Sequence, residues 1–463
     1  MKPGIRNSLA IILVIPVLAL AFFVSLKYLE ASRRPNIILI TLDALRPDHL
    51  GCYGYKRNTS PNIDKIAKEG VIFTQAIAQS SHTAPSNASL ISSTYPNIHN
   101  VIDWGYQFSS AISKTLPVAL KEHGYSTAFI SDQLALPLIK GFENGFDTFN
   151  TVNTFTFGPI NTRKQVIDIT DWAIDWIENN RGKKFFLWVY YIDPHGPYLP
   201  PPPYNRMFIR DQYYSSNKTI PISEDNYSQV SIGHIPRYLS YNNIMNADYY
   251  IAQYDAEIRH IDDQIGRLLQ ELKKHNLGKN TLIIINSDHG EAMGEHNRYF
   301  CHANSLYDEL IKIPLIIKWS GKICPGMKNG IQVNSIDIMP TILDVLGIAK
   351  YKFMQGNSLM PLLGSRKYAF PVFTYSEFLE RKSVRTLEWK LIYDSQNRRY
   401  ELYNLKNDPA ELNDVSATEE EQFEFLKQKL GEYINNSVPQ SKIAAPGLSW
   451  DEKEKLKSIG YAQ

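Results

Sequence analysis

Acidic and imidazole side chains follow three apolar segments of this sequence at short distances. Asp43 comes directly after the first segment, His195 lies a few residues beyond the second, and Asp288 and His289 stand just past the third. If these segments are strands of one parallel sheet, their carboxyl ends share an edge, which is where open α/β sheets bind ligands. A single aspartate after a strand is more often a cap or turn residue, but three such ends favour a functional site.

A hydroxyl group that could act as a nucleophile lies at Thr83, in the stretch HTAPSNAS. Pro85 suits the first turn of a helix that continues through Leu90 and Ile91, so Thr83 is expected just before this helix begins. The free amide groups and the dipole of a helix start favour an anion. The alternative is that Thr83 only caps the helix, because a catalytic role needs a metal ion or a base to activate its hydroxyl.

Asp43, Asp288 and His289 are candidate ligands of one divalent metal ion, with the Thr83 oxygen as the fourth ligand. This mixed set of oxygen and nitrogen donors suits Mn²⁺ or Zn²⁺ better than a dedicated calcium site, while Mg²⁺ and Ca²⁺ stay open. The metal would lower the pKa of the threonine hydroxyl and neutralise charge on a transferred group. The sequence therefore predicts a metal-activated threonine.

The elements that must position these groups alternate between strand-like and helix-like patterns. This alternation predicts an α/β fold with a largely parallel central sheet flanked by helices. Four apolar runs predict its buried strands, at residues 36–42, 185–191, 281–286 and 313–318. Isoleucines and leucines that recur every three or four positions between Ile251 and Leu272 mark one face of a long helix, and a similar pattern between Val166 and Trp176 marks another.

The chain divides into four predicted parts. These are a membrane anchor or signal-anchor (1–33), a catalytic domain (34–368), a small C-terminal α+β subdomain (369–436) and a tail (437–463). The anchor prediction rests on the uncharged residues 9–26, which as a transmembrane helix would span about 27 Å. A cleaved signal peptide is the alternative. The predicted localisation is a single-pass membrane protein whose catalytic domain lies outside the cytoplasm.

Composition narrows the range of partners. The 49 Lys and Arg residues against 47 Asp and Glu give a net charge of +2 over 463 residues, which creates no field that would favour nucleic acid. The 3 cysteines are too few and too scattered for a disulfide framework or a C-x-x-C metal site. The expected substrate is an anionic ester, on a glycan or a lipid head group, and the membrane is the other expected partner.

Motifs spread along the chain resemble, in the same order, those of the sulfatase family in the alkaline-phosphatase-like superfamily. The first is PNIILITLDALRPDHLGCYG at residues 35–54. The others are SPNID from Ser60, TAPS from Thr83, DPHGPY from Asp193, SDHGE from Ser287, GEH from Gly294, SLYDE from Ser305 and ELYNLKNDPAE from Glu401. The resemblance implies a metal-bound nucleophile that attacks sulfur or phosphorus at the carboxyl edge of a sheet.

By motif position, the resemblance makes Asp43, Asp288 and His289 metal ligands and Thr83 the nucleophile. It implies that two further histidines contact the transferred group or protonate the leaving oxygen, with a third as a weaker candidate. The two are His195 and His302, and the weaker candidate is His296.

Three positions depart from the family pattern. Family sulfatases carry Cys or Ser, modified to formylglycine, where this chain has Thr83, and they carry Arg where it has Asn87; Ala44 replaces a second Asp of many members. The second hydroxyl of a formylglycine hydrate can expel sulfate, whereas a threonine ester must be broken by attack at the central atom. Such attack is more reasonable at phosphorus than at sulfur. The Asp, Thr, Asp, His set also resembles that of the superfamily's phosphoglycerol and phosphoethanolamine transferases.

Three functions therefore stay open. The first is a metal-dependent hydrolase or transferase that uses Thr83 on phosphate esters, or less favourably on sulfate esters. The second is a sulfuric ester hydrolase of the arylsulfatase kind that tolerates threonine. The third is a catalytically silent sulfatase fold that binds anionic glycans or lipid head groups, and retention of the predicted ligands and histidines weighs against it.

Overall fold

A computed structural model describes residues 34–133, 135–151, 165–215, 219–225, 231–303, 305–364 and 373–437, together with Ser449 and Lys453. The strands are β1 Asn36–Leu42, β2 Val71–Ile77, β3 Ser126–Ser131, β4 Thr148–Thr151, β5 Phe185–Tyr191, β6 Thr281–Ser287, β7 Ala292–Met293, β8 Tyr299–Cys301, β9 Lys312–Trp319, β10 Met327–Asn334, β11 Thr374–Phe378, β12 Arg381–Arg385, β13 Trp389–Asp394 and β14 Arg399–Asn404. The α-helices in these residues are α1 Pro61–Glu69, α2 Thr83–Ser92, α3 Pro96–His99, α4 Leu116–Glu122, α5 Gln165–Asn180, α6 Ala247–Lys274, α7 Asp308–Ile311, α8 Ile338–Val345 and α9 Glu420–Asn435.

The main sheet has eight strands in the order β10-β2-β9-β6-β1-β5-β3-β4. All neighbouring pairs are parallel except the two that β9 makes with β2 and β6. The predicted largely parallel sheet is confirmed, and β9, predicted from its apolar run alone, is its single reversed strand.

Successive residues of the central strands face opposite sides of the sheet, and both sides are covered. Ile37 and Leu39 of β1 belong to one apolar cluster, whereas Ile38, Ile40 and Leu42 belong to the other. Helices α2, α4 and α8 supply the first cluster, and α1, α5 and α6 supply the second. Because neither face of β1 meets water, its sequence is a continuous apolar run instead of an alternating pattern.

The two predicted amphipathic helices are present as α5 and α6. In α6 the buried isoleucines and leucines include Ile258, Ile261 and Ile265, at the predicted spacing. In α5 the buried face contains Ala173, while Trp172 is 37% exposed. The sequence did not decide which of these two neighbours lies on the buried face. In the structure it is the smaller one, because the helix lies close to the sheet.

The C-terminal part is a four-stranded antiparallel sheet, β11-β12-β13-β14, with α9 packed on it. Three of its strands overlap the short strands that the sequence predicts at residues 383–387, 389–393 and 400–403, but β11 has no apolar run that would reveal it. This sheet contacts the main domain through a buried ionic cluster, in which Lys390, fully buried, binds Asp308 at 3.0 Å and Glu411 at 2.9 Å. The α+β architecture predicted for this region is therefore confirmed.

The predicted membrane localisation is contradicted. In the described ranges, no helix combines the length and the apolar character that crossing a bilayer requires. The longest, α6, has 28 residues but carries charged side chains along its length and packs one face against the sheet. The segment on which the prediction rested, residues 9–26, lies outside the described residues.

Candidate functional site

The central strands of the main sheet bring the predicted ligands together at their carboxyl ends. Strands β6, β1 and β5 are adjacent, and in register Leu42 is opposite both Ser287 and Tyr191. Asp43 and Asp288 are therefore the next residues along neighbouring strands. The backbone N–H of Ala44, which has a left-handed φ of 58°, donates to Asp288 Oδ1 at 3.3 Å.

Asp43, Asp288 and His289 form a compact, buried cluster. One donor atom from each lies within 4.8 Å of the others. His289 Nε2 is 3.4 Å from Asp43 Oδ1, 3.6 Å from Asp288 Oδ2 and 3.1 Å from Thr83 Oγ1. All four residues of the predicted metal and nucleophile set thus meet at one point.

The orientation of His289 determines which ring nitrogen faces this cluster. Its Nδ1 lies 2.9 Å from the carbonyl oxygen of Gly290, which can only accept a hydrogen bond. Nδ1 therefore carries the proton in the neutral ring, and Nε2 carries the lone pair. This lone pair can serve a metal ion or the Thr83 hydroxyl, but not both at once. Gly290 is required here because a Cβ atom would collide with the backbone oxygen of Glu309.

The cluster fits a cation. Asp43 Oδ1 is buried and has no hydrogen-bond partner among the described residues. Burial and the neighbouring charge of Asp288 raise the pKa of Asp43 well above its usual range. Two buried carboxylates that lack a positive partner are costly, and a divalent ion would remove that cost. Two carboxylates, one imidazole and one hydroxyl are also the donor types that divalent metals accept.

Three further residues hold these ligands in place, and only Asn87 among them stood out in the sequence, as a departure from the family pattern. Tyr190 donates its hydroxyl to Asp288 Oδ2 at 2.8 Å, and Asn87 donates its amide to the same oxygen at 3.2 Å. Gln133 donates to Asp43 Oδ2 at 2.9 Å. The bond from Gln133 leaves Asp43 Oδ1 to face His289, whereas Tyr190 and Asn87 bind the Asp288 oxygen that faces His289 Nε2. Such hydrogen bonds fix the orientation of the ligands, which is the usual task of residues behind a metal ligand.

Thr83 is the first residue of α2, one position further into the helix than predicted. It is fully buried, and the N-cap position belongs to His82. The sequence alone does not decide whether Thr83 caps the helix or acts as a nucleophile. In the structure its hydroxyl contacts His289 across 206 positions of sequence, which a capping role does not require.

His195 and His302 lie beside the cluster. The ring of His302 stacks on that of His289 with centroids 4.4 Å apart, and the ring of His195 meets His302 at 4.8 Å. Burial, together with His289, lowers the pKa of His302 well below its usual range. The structure therefore places His302 against His289, which contacts Thr83, and His195 against His302.

His296 is not part of this group. Its Nδ1 contacts Glu309 Oε1 and its Nε2 contacts the carbonyl oxygen of Glu411, both at 2.9 Å, and its ring stacks on Tyr307. His296 thus joins the main domain to the C-terminal region. Burial alone would lower the pKa of His296, but its hydrogen bond with Glu309 and the charge of that carboxylate raise the pKa above its ordinary value.

We expect His296 to make the stability of the protein depend on pH. Because its folded-state pKa is raised, its stabilisation is fully present below about pH 6.5 and is lost as pH rises through the folded-state pKa. His296→Gln should therefore lower the free energy of unfolding by about 2 kcal/mol at pH 6, and by less at pH 8. Denaturant unfolding at both values tests this, with His234→Gln, at an exposed position, as the control. An equal loss at both values would contradict it.

Fold and site together define a metal-dependent ester hydrolase built on a central, largely parallel sheet. The sequence profile of the Sulfatase family matches residues 35–348, and that of the N-sulphoglucosamine sulphohydrolase C-terminal region matches residues 294–439. The chain belongs to the sulfatase family. Members of this family bind a divalent metal ion and hydrolyse esters, which agrees with the donor set described above.

Curated relatives share about a quarter of the sequence. An N-acetylglucosamine-6-O-sulfatase of Bacteroides thetaiotaomicron is 26% identical, over 92% of this chain and 89% of the relative. An arylsulfatase of Clostridium perfringens is 25% identical, over 86% of this chain and 94% of the relative. The chain is thus similar to these proteins along nearly its whole length.

Solved structures show the same fold. One, determined in complex with its substrate D-glucosamine-2-N,6-O-disulfate, has a TM-score of 0.73 and 24% identity, and the match covers 88% of this chain and all of that one. A phosphonate monoester hydrolase of Agrobacterium radiobacter also has a TM-score of 0.73, with 20% identity over 88% of this chain and 96% of that one.

Proposed function

We propose that this protein is a metal-dependent hydrolase or transferase that acts on phosphate esters with Thr83 as its nucleophile. The observation that carries the proposal is the 3.1 Å contact between Thr83 Oγ1 and His289 Nε2 in the buried cluster with Asp43 and Asp288. Asp43, Asp288, His289 and Thr83 would hold one divalent ion, which supplies a lower hydroxyl pKa and a positive charge for the ester oxygens.

The remaining work belongs to the residues around the ester. Thr83 loses its hydroxyl proton to solvent, and its Oγ forms a bond to the central atom while the bond from that atom to the ester oxygen breaks. The electron pair of the broken bond stays on the leaving oxygen. His195 and His302 contact the transferred group or give a proton to the leaving oxygen. Water, or an acceptor hydroxyl in a transferase, then attacks the same central atom and releases Thr83.

The identity of the nucleophile favours phosphorus over sulfur. Oxidation of a threonine gives a ketone, because its Cβ carries a methyl group, so Thr83 cannot become the aldehyde that formylglycine is. The covalent intermediate then has no second hydroxyl with which to expel the bound group. Attack at the central atom is the route that is left, and phosphoryl transfer by attack at phosphorus is widespread in enzymes.

A second candidate function is the hydrolysis of sulfate esters. It is favoured by the family match over residues 35–348 and by relatives that are named as glycan sulfatases. In that case water would attack sulfur in a Thr83 sulfate ester. Both candidates need an anionic ester and the same metal ligands.

A substrate panel separates the two functions. The purified protein, supplied with Mn²⁺, Zn²⁺, Mg²⁺ or Ca²⁺, is expected to hydrolyse an aryl phosphodiester or phosphomonoester with kcat/KM at least about tenfold above that for the matched aryl sulfate. The physical reason is the slow breakdown expected for a threonine sulfate ester. Turnover of the aryl sulfate alone would refute the phosphorus assignment.

Mass spectrometry of the Thr83 peptide after rapid quenching provides an independent check. A phosphoryl group is expected on that peptide with the phosphate substrate. A sulfuryl group that accumulates without release would confirm that breakdown fails at sulfur. Adducts on a different peptide would remove Thr83 from the nucleophile position.

A further inference from the structure

A buried acid beside the cluster has no role in the scheme above. Glu291 lies two residues beyond His289 and is 1% exposed. Its carboxylate makes two contacts: Oε2 accepts a hydrogen bond from the Tyr198 hydroxyl at 3.1 Å, and Oε1 lies 3.4 Å from His302 Nδ1. Burial of a carboxyl group in a short polar network costs free energy of folding, which suggests that the group has a role in the site.

The contact with Glu291 determines how the His302 ring is turned. Nδ1 and Nε2 lie on different edges of an imidazole ring, so a ring whose Nδ1 faces Glu291 turns Nε2 away from it. The plane of the His302 ring is fixed by stacking on His289, with centroids 4.4 Å apart, and by the edge contact with His195 at 4.8 Å. Stacking alone allows the ring to flip, and the carboxylate selects one of the two orientations.

Tyr198 holds the other end of Glu291. This tyrosine lies three residues after His195, and its ring packs edge-on against Tyr254 at 5.5 Å and Phe300 at 5.9 Å. Phe300 in turn precedes His302 by two residues. The segments that carry His195 and His302 therefore meet at the Glu291 carboxylate. Because each of its two oxygens has a contact, the position of the carboxylate is defined.

We propose that Glu291 is a positioning residue that orients His302 so that its Nε2 faces the bound ester. This inference rests on the proposed function, because it takes His302 to contact the ester. The present Nδ1–Oε1 distance of 3.4 Å is long for a hydrogen bond, and such contacts commonly shorten when substrate binds.

A double-mutant cycle tests the proposal. Glu291→Gln is expected to lower kcat for an aryl phosphodiester about tenfold and to leave KM within about twofold, because an amide can keep the Tyr198 contact but binds His302 Nδ1 less firmly. His302→Gln should cost more than about tenfold. In the His302→Gln background, Glu291→Gln should have almost no further effect, since the ring that it orients is gone.

The matched control is Glu309→Gln. Glu309 makes the same kind of carboxylate contact, at 2.9 Å, with the Nδ1 atom of His296, away from the cluster. This variant should not show coupling to His302→Gln. Tyr198→Phe provides a second route if Glu291→Gln folds poorly, as judged by circular dichroism and thermal unfolding. Tyr198→Phe removes the hydroxyl group that donates to Glu291 Oε2. It should also lower kcat, by a smaller factor than Glu291→Gln does.

Additive losses in the cycle would overturn the positioning role, since a structural effect of Glu291 persists without His302. An unchanged kcat in His302→Gln would overturn the role of His302 and, with it, the inference, while leaving Thr83 as nucleophile intact. Failure of the proposed function looks different: the wild-type protein would then turn over no phosphate ester at all.

Discussion

Replacement of Thr83 by alanine is expected to lower kcat/KM for every accepted ester by at least about 10³-fold, because the substitution removes the atom that forms the covalent bond. The hydroxyl is fully buried and lies 3.1 Å from His289 Nε2, so its removal leaves the cluster without the oxygen proposed to attack the ester. Steady-state kinetics with the best substrate of the panel provide the measurement.

Two variants show whether such a loss comes from the missing hydroxyl or from a disturbed helix. Thr83→Ser keeps the hydroxyl and should retain activity within about a hundredfold of wild type. Ser86→Ala changes a buried hydroxyl on the same helix, one that donates to the backbone oxygen of Ser80, and should leave kcat/KM within a few-fold. Full activity in Thr83→Ala would rule out the nucleophile, and an equal loss in Ser86→Ala would assign the effect to the helix.

Replacement of Asp43 by asparagine is expected to abolish metal binding and activity together. Loss of a residue that only supports a ligand costs about 10–100-fold in metal affinity, so loss of the ligand itself should cost more than about a hundredfold. Gln133→Leu removes the hydrogen bond to Asp43 Oδ2, together with the one that Gln133 Oε1 accepts from the backbone N–H of Ala135, and should lower metal affinity by about 10–100-fold. Calorimetric titration of the metal-free protein with Mn²⁺ measures both, and added chelator should stop turnover by wild type.

The stability of the metal-free protein separates this effect from misfolding. Burial and the charge of Asp288 raise the pKa of Asp43, which means that its ionised form opposes folding near neutral pH. Asp43→Asn should therefore unfold at the same temperature as the metal-free wild type or at a higher one, even though it no longer binds the ion. A variant that loses both metal binding and thermal stability would count against the ligand role.

Much of the fold was accessible from the sequence because the central strands are buried on both faces. The predicted run 36–42 coincides with β1, and 185–191 coincides with β5. Strand β3, Ser126–Ser131, was missed because its sequence STAFIS mixes polar and apolar residues within one buried strand. Strand β11 was missed for a related reason, since its polar side chains are satisfied by partners in other segments, as Ser376 is by the carbonyl oxygen of Ala78.

The predicted site residues lie together, whereas their supports could not be predicted. Asp43 and Asp288 stand at strand ends, where a pattern can be read from one sequence. Asn87 and Tyr190 lie inside a helix and a strand, and only the folded chain brings their donors to Asp288. His296, the weaker candidate, lies in a family-like motif, and its partners in the structure are Glu309 of the main domain and Glu411 of the C-terminal region.

The order of the central strands also has a consequence for biosynthesis. The contact between Ala44 and Asp288 joins positions 244 apart, and β6, which ends just before Asp288, inserts between β1 and β9. At about 5–20 residues per second, the ribosome needs roughly 10 to 40 s to proceed from Thr83 to Asp288. Throughout this interval the nascent chain carries Thr83 without Asp288 and His289, which complete the cluster. The cluster therefore cannot form until β6 has been synthesised and has entered the middle of the sheet.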